Sequence, residues 1–248
     1  MECSTANSER FIELDILRGF GIIGMIAFHL LWDLDYFGIL ELNRGIYNTN
    51  ITFQLLFFTL VGITISVQSN KEKILSKLTY KKIFSHGIWI FSLGLVINFV
   101  TFLVIPDRPV LFGVLHCIGL SIILSIPFLH LKKSNLYLSI PVIIIGFFIR
   151  QYHIANPSHA HFILGFYQPN LWQYTLDYFP ILPWFGIVLF GLGLGNILYK
   201  DNIRQFRIPR LVHSRPSFFV SFLGRHSLVI YFSHQPIIMG AISLYLLL

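Results

Sequence analysis

Long apolar stretches separated by short polar segments set the layout of the chain. They run from Phe11 to Phe37, Ile51 to Val67, Ile83 to Ile105, Val110 to Leu131, Leu136 to Ile149, Pro180 to Tyr199 and Phe218 to Leu247. Most approach the ~20 residues that an α-helix needs to cross a bilayer. The pattern predicts an all-α fold, a polytopic integral membrane helix bundle of about seven transmembrane helices. The fifth stretch is short and contains Pro141, so tilt, local thinning of the bilayer or a re-entrant path are all open there. No internal repeat is evident, which weakens a transporter built from two related halves.

Composition agrees with this reading. Hydrophobic residues make up 55% of the 248 and charged residues only 12%, against the ~25% of a soluble domain. The first dozen residues are polar and include Glu2, Glu9 and Arg10, unlike the basic-then-apolar layout of a cleaved signal peptide. The first helix is therefore expected to stay in the mature protein. Cys3 and Cys117 are too few and too far apart for a disulfide framework or a zinc site.

Charge placement then gives an orientation. With the N-terminus cytoplasmic, the inner segments hold Arg10, Lys71, Lys73, Lys77, Lys81, Lys82, Lys132, Lys133, Lys200, Arg204, Arg207, Arg210 and Arg215. The outer segments hold Arg44, Arg108 and Arg150, and Arg18 and Arg225 fall within spans. Thirteen cations against three is the positive-inside pattern, and it accounts for most of the net charge of +7 without nucleic acid as a partner. The inner cations are also suited to anionic lipid headgroups. The outer segment from Arg150 to Phe179 carries Tyr and Trp residues suited to an interfacial layer and could cap a site.

Ionisable groups at bilayer depth cost roughly 2.5 to 3.5 kcal/mol each at a helix centre, so they usually face the protein interior or a cavity. The first span carries Asp15, Arg18, His29 and Asp33. At ~100° per residue Arg18 and His29 align to within about 20°, with Asp15 and Asp33 each about 60° away, so all four share a stripe. Arg18 and His29 are about 16 Å apart along the axis, and a long ligand could touch both. The alternative is that Asp15 pairs with Arg18 near the surface and His29 is a hydrogen-bonded core histidine. His116 and His234 are expected at a height similar to His29, with His234 two residues before Pro236. A metal centre has no supporting motif, and none is expected. His153, His159 and His161 read as solvated loop residues. Gly19, Gly21 and Gly24 spell G-x-G-x-x-G without a preceding strand, so close helix approach explains them better than a dinucleotide fold, as it does Gly191 and Gly195.

Four segments, ELDILRGFGIIGMIAFHLLWDL, FGVLHCIG, PWFGIVLFGLGLG and LGRHSLVIYFSHQP, occur in that order. Together they resemble the membrane acyltransferases related to the catalytic domain of heparan-alpha-glucosaminide N-acetyltransferase. Arg18 and His29 also resemble the Arg-x10-His spacing of acyltransferase family 3. The resemblance implies a single acyltransferase-like domain over residues 1–248, probed by one activity. That activity is transfer of an acyl group, acetyl from cytoplasmic acetyl-CoA, to a hydroxyl or amine of a sugar-type acceptor. It implies Arg18 at the cofactor and His29 as catalytic base. The lysosomal branch has Asn at the place of His29 and its catalytic His beyond the first helix, whereas Gly38 to Asn50 here contains no His.

CoA carries phosphates at one end and its thioester on a long arm. Arg18 and Arg225, with Asp15, Lys81 and Lys82 beside them in the donor-binding set, supply cations for the phosphate end. Asp33 is expected to orient the His29 ring, and His116 or His234 to polarise the thioester carbonyl. Expected partners are acyl-CoA, a sugar or glycolipid acceptor and membrane lipids, with a homo-oligomer as a further option, in a multi-pass protein of the plasma membrane. The rival readings are a proton-coupled transporter or permease, for which an intramembrane Asp, Arg and His stripe is also suited, and a catalytically silent scaffold.

Overall fold

The computed structural model describes residues 10–70, 76–152, 154, 158–166, 171–209, 212 and 214–247. Glu2, Cys3, Glu9, Lys71, Lys73, His153 and Arg210 lie outside the described residues. The chain is helical: α1 (Ile12–Tyr36), α2 (Arg44–Asn70), α3 (Lys77–Val104), α4 (Val114–Leu124), α5 (Asn135–Ile149), α6 (His159–Leu164), α7 (Ile181–Leu198), α8 (Arg215–Arg225) and α9 (Ser227–Leu247). No strand occurs among the described residues; Phe112 and Tyr178 form an isolated bridge.

Among the described residues six helices are long and apolar enough to cross a membrane: Ile12–Tyr36, Asn50–Asn70, Lys77–Val104, Ile126–Ile149, Ile181–Leu198 and Ser227–Leu247. Two stretches that read as continuous spans are divided. Val110 to Leu131 contains only the short α4, which stops at Ser125 before Pro127 and gives way to a 3-10 segment, Ile126–Ser134. A non-helical Lys132 interrupts that segment shortly before α5, and the Asn135 amide caps the break by donating to the carbonyls of Phe128 at 2.9 Å and Lys132 at 2.8 Å. The last stretch is divided at His226, between α8 and α9.

Contacts group the chain into two compact units, residues 1–57 with 207–248, and residues 58–206. In the first unit α1 packs on α8 and α9. Small residues make the α1–α8 crossing close: a Cβ on Gly19 would lie 2.7 Å from Val220 Cγ1, and one on Gly224 would lie 2.8 Å from the carbonyl carbon of Asp15. Backbones that approach so closely leave no room for a side chain, so adjacent long side chains are fixed in register. Gly21 and Gly24 receive the rings of Phe57 and Phe53 on α2. The three glycines of the first span thus serve helix approach, as their context predicts.

In the second unit α7 is the central helix, with Val188, Leu189 and Leu192 fully buried. It meets α5, α4 and the later part of α2. A Cβ on Gly62 would lie 2.6 Å from the Leu192 nitrogen, and one on Gly195 would lie 2.7 Å from Ser66 Cβ. Gly191 meets Thr59 in the same way. The outer faces of α3 and α5 expose Phe99, Leu103, Phe147 and Phe148, the surface expected of helices solvated by lipid rather than water.

Candidate active site

The ionisable stripe of α1 resolves into two clusters within the first unit. Near the start of the helix the Asp15 carboxylate, 1% exposed, collects three guanidinium groups. Arg10 Nε lies 2.9 Å from Oδ2, Arg18 Nη1 lies 3.0 Å from Oδ1, and Arg225 Nε lies 3.3 Å from Oδ2. Arg18 reaches Asp15 because residues three apart share a helix face. Arg225 reaches it from α8 because Gly224, its neighbour in sequence, lies against the backbone of Asp15. Arg10 and Arg225 keep 60% and 43% of their side chains exposed, so the cluster presents guanidinium groups outward. One carboxylate cannot saturate three groups with five N–H donors each. The Asp15–Arg18 pair is therefore real, and it is part of a larger cationic cluster rather than an isolated structural bridge.

The second cluster lies eleven residues on from Arg18, about 16 Å along the α1 axis. His29 Nδ1 sits 2.9 Å from the carbonyl oxygen of Met25. A carbonyl only accepts, so Nδ1 is the protonated nitrogen, and in the neutral ring Nε2 carries a lone pair. The ring meets that of His234 on α9, edge to face with centroids 4.9 Å apart. His234 repeats the arrangement: Nδ1 donates to the carbonyl of Tyr231 at 2.6 Å, which leaves Nε2 as an acceptor. No described residue donates to that buried Nε2. Asp33, fully buried, accepts two hydrogen bonds from the Gln235 amide, at 3.1 Å on Oδ1 and 2.9 Å on Oδ2. The Gln235 oxygen then points away, buried and without a donor among the described residues.

Several expected roles change. Asp33 does not orient His29: its hydrogen-bond partner among the described residues is Gln235, and the His29 ring is held by the Met25 carbonyl instead. The helical turn brings Asp33 to the right face, but the amide from α9 takes its oxygens. His234 does meet His29, yet its neutral ring offers a lone pair at Nε2. Polarising a carbonyl oxygen requires a donor, so that role does not suit this tautomer. His116 belongs to the second unit, where Nδ1 accepts from the Gly113 N–H at 3.2 Å at the start of α4. Its ring is enclosed by Phe91, Phe112 and Gly94. Lys81 and Lys82 also belong to that unit, on a face of α3 shared with Leu78, Ser85, His86 and Trp89. No group of His, Cys, Asp or Glu suited to a metal occurs among the described residues.

Two members of the clusters are not singled out by sequence reasoning. Arg10 is read there only as a flanking cation, although it is five residues from Asp15. Gln235 stands inside the SHQP segment, a polar residue at bilayer depth between His234 and Pro236, and that placement is the signal that marks it. Pro236 also removes the backbone donor that would serve Phe232, loosening the helix where these side chains emerge.

Outside the spans, Asp177 accepts from the Val114 N–H at 3.1 Å and so holds the start of α4. Burial pushes its carboxyl up to about 6, against the lowering effect of the Val114 and Tyr178 backbone donors.

A family model described as heparan-alpha-glucosaminide N-acetyltransferase, catalytic, matches residues 10–236. The match begins at Arg10 and ends at Pro236, so it takes in both clusters. No curated protein and no solved structure matches the chain.

Proposed function

Because the chain belongs to the heparan-alpha-glucosaminide N-acetyltransferase catalytic family, and is a multi-pass integral membrane protein of acetyltransferase type, we propose that it moves an acetyl group from acetyl-CoA to a sugar hydroxyl, with His29 as the base. The observation that carries this reading is the His29 hydrogen bond to the Met25 carbonyl, which commits Nδ1 as donor and leaves Nε2 free to take a proton. The acceptor oxygen attacks the thioester carbonyl carbon as its proton passes to His29 Nε2. The C–S bond then breaks, and the CoA thiolate leaves and takes up the proton from the imidazolium. One acetyl ester forms and one thioester is consumed.

At the other end of the ligand, Arg10, Arg18 and Arg225 bind the CoA phosphates, with Asp15 holding the three guanidinium groups together. The spacing of about 16 Å between Arg18 and His29 suits a phosphate-ended donor with its reactive group on a long arm. In this reading the Arg cluster faces the cytoplasm, where acetyl-CoA is made, and the protein resides in the plasma membrane. The thirteen-to-three division of cations supports that orientation.

The test is direct. Purified protein in lipid nanodiscs, given acetyl-labelled acetyl-CoA and a panel of glycans, should release CoA and label a saccharide at oxygen. Absence of label from every hydroxyl or amine acceptor, with solute uptake in proteoliposomes instead, would move the chain to the transporter reading. Single cysteines in place of Lys133 and Tyr152, in a background without Cys3 and Cys117, should be labelled from the inner and outer side respectively.

A further inference from the structure

The second cluster on α1 contains more acceptors than its own donors can satisfy. His234 Nε2 and Gln235 Oε1 are buried without a donor among the described residues, and the neutral His29 ring adds a lone pair at Nε2. Asp33 adds a carboxylate whose oxygens receive, among the described residues, the Gln235 amide. Burying an acceptor without a partner costs about 1 to 3 kcal/mol, and a ligand that supplies donors to the cluster would remove that cost. The backbone carbonyls of Met25 and Tyr231 set the polarity, because each holds a ring with Nδ1 as donor and Nε2 as acceptor. The two ring centroids are 4.9 Å apart, so both histidines belong to one cluster.

We propose that His234 and Gln235, with Asp33 behind them, form a recognition site for a neutral polyol, in which one hydroxyl donates to His29 and an adjacent hydroxyl donates to His234 or Gln235. This deepens the acetyltransferase reading and rests on it. Gln235 is a positioning residue in this site as well as a ligand. Its amide nitrogen is held by both oxygens of Asp33, which leaves the buried carbonyl oxygen as an acceptor. The site selects for O–H groups and against oxygens already alkylated or acylated, since those present acceptors to acceptors. The class of acceptor is therefore a saccharide with vicinal free hydroxyls. An acetylated product loses one donor, which favours its release.

The proposal is tested by equilibrium binding of tritiated methyl β-D-glucopyranoside to the full chain in nanodiscs, without donor, alongside acetyl-CoA binding. The His234→Phe variant should bind the glucoside about tenfold or more weakly, as expected for a lost hydrogen bond, with acetyl-CoA affinity within about twofold of the parent. Replacing Gln235 alone strands a buried carboxylate, so the second variant is the double substitution D33L/Q235L, which removes both partners together. It should weaken glucoside binding in the same way. The fully O-methylated glucoside keeps its oxygens but has no O–H, and should not compete in the parent. Equal competition by it overturns the proposal, as does unchanged glucoside binding in both variants or no glucoside binding by the parent. Acetyl-CoA turnover by the parent decides the acetyltransferase reading separately, so the two failures are distinguishable.

Discussion

Asp15 and Asp33 lie on one face of one helix, both 1% exposed or less, and their surroundings are opposite. Asp15 is met by Arg10, Arg18 and Arg225, three guanidinium groups around one carboxylate. Asp33 receives a single neutral amide, and the neighbouring imidazoles turn their lone pairs the same way, so its cluster lacks donors. An excess of guanidinium calls for an anion. An excess of acceptors calls for hydroxyls. In the proposed reading, the same side-chain type, buried to the same degree, serves two ligand chemistries according to what the partner helix brings: α8 supplies Arg225 and α9 supplies His234 and Gln235.

The largest expected effect is at the acceptor-rich end. His29→Gln keeps hydrogen-bonding ability but cannot accept a proton, and should lower acetyl transfer by roughly 100 to 10,000-fold while acetyl-CoA binding survives. Transfer near the parent rate in that variant would make His29 a structural residue. At the cationic end, Arg18→Gln or Arg225→Gln should weaken acetyl-CoA binding by roughly 10 to 150-fold, the loss expected of about 1.5 to 3 kcal/mol of charge-assisted contact, without altering saccharide binding. Equal weakening of both ligands would erase the distinction between the ends.

A third carboxylate provides a control. Asp177 is held by backbone donors, outside both clusters, with its pKa raised from 3.8 to about 6. A raised value means that its contribution to stability is full below about pH 4 and lost as pH climbs through 6. Asp177→Asn should therefore flatten thermal stability between pH 4 and 7 by about 2 to 3 kcal/mol and leave transfer unchanged at neutral pH. Parallel pH slopes for parent and variant would show that this carboxyl does not titrate there. The smallest effect separates the two aspartates themselves. Asp15→Asn should cost about 1 kcal/mol more than Asp33→Asn, because three guanidinium groups lose an anion, two of them already partly solvated, whereas Gln235 loses only the charge of its acceptor. Differential scanning fluorimetry of the two variants reads that difference, and equal midpoints would remove the contrast.

Much of this arrangement is legible along the chain. The stripe of Asp15, Arg18, His29 and Asp33 follows from helical geometry alone, since positions on one rigid helix are fixed relative to each other before anything packs on it. The membrane-spanning character follows from the apolar stretches in the same way. What α1 could not reveal is how its groups are shared out. Spacing made Asp33 the natural support for His29, one turn away, and packing gave it to Gln235, 202 residues later in the chain. The division of two spans was hidden as well, because Pro127 and the Gly224–Arg225–His226 corner are features of one to three residues inside stretches that are apolar on average.

By itself, then, the sequence determined the apolar spans, the bias of cations between segments and the polar face of α1, all of which are properties of local composition and helical period. Only the tertiary structure decided that Arg225 completes a cationic cluster, that His234 meets His29, and that the Gln235 amide goes to Asp33. Those outcomes depend on where α8 and α9 cross α1. The α1–α8 crossing is set by Gly19 and Gly224, at which two backbones approach closely enough to lock the register of the long side chains beside them.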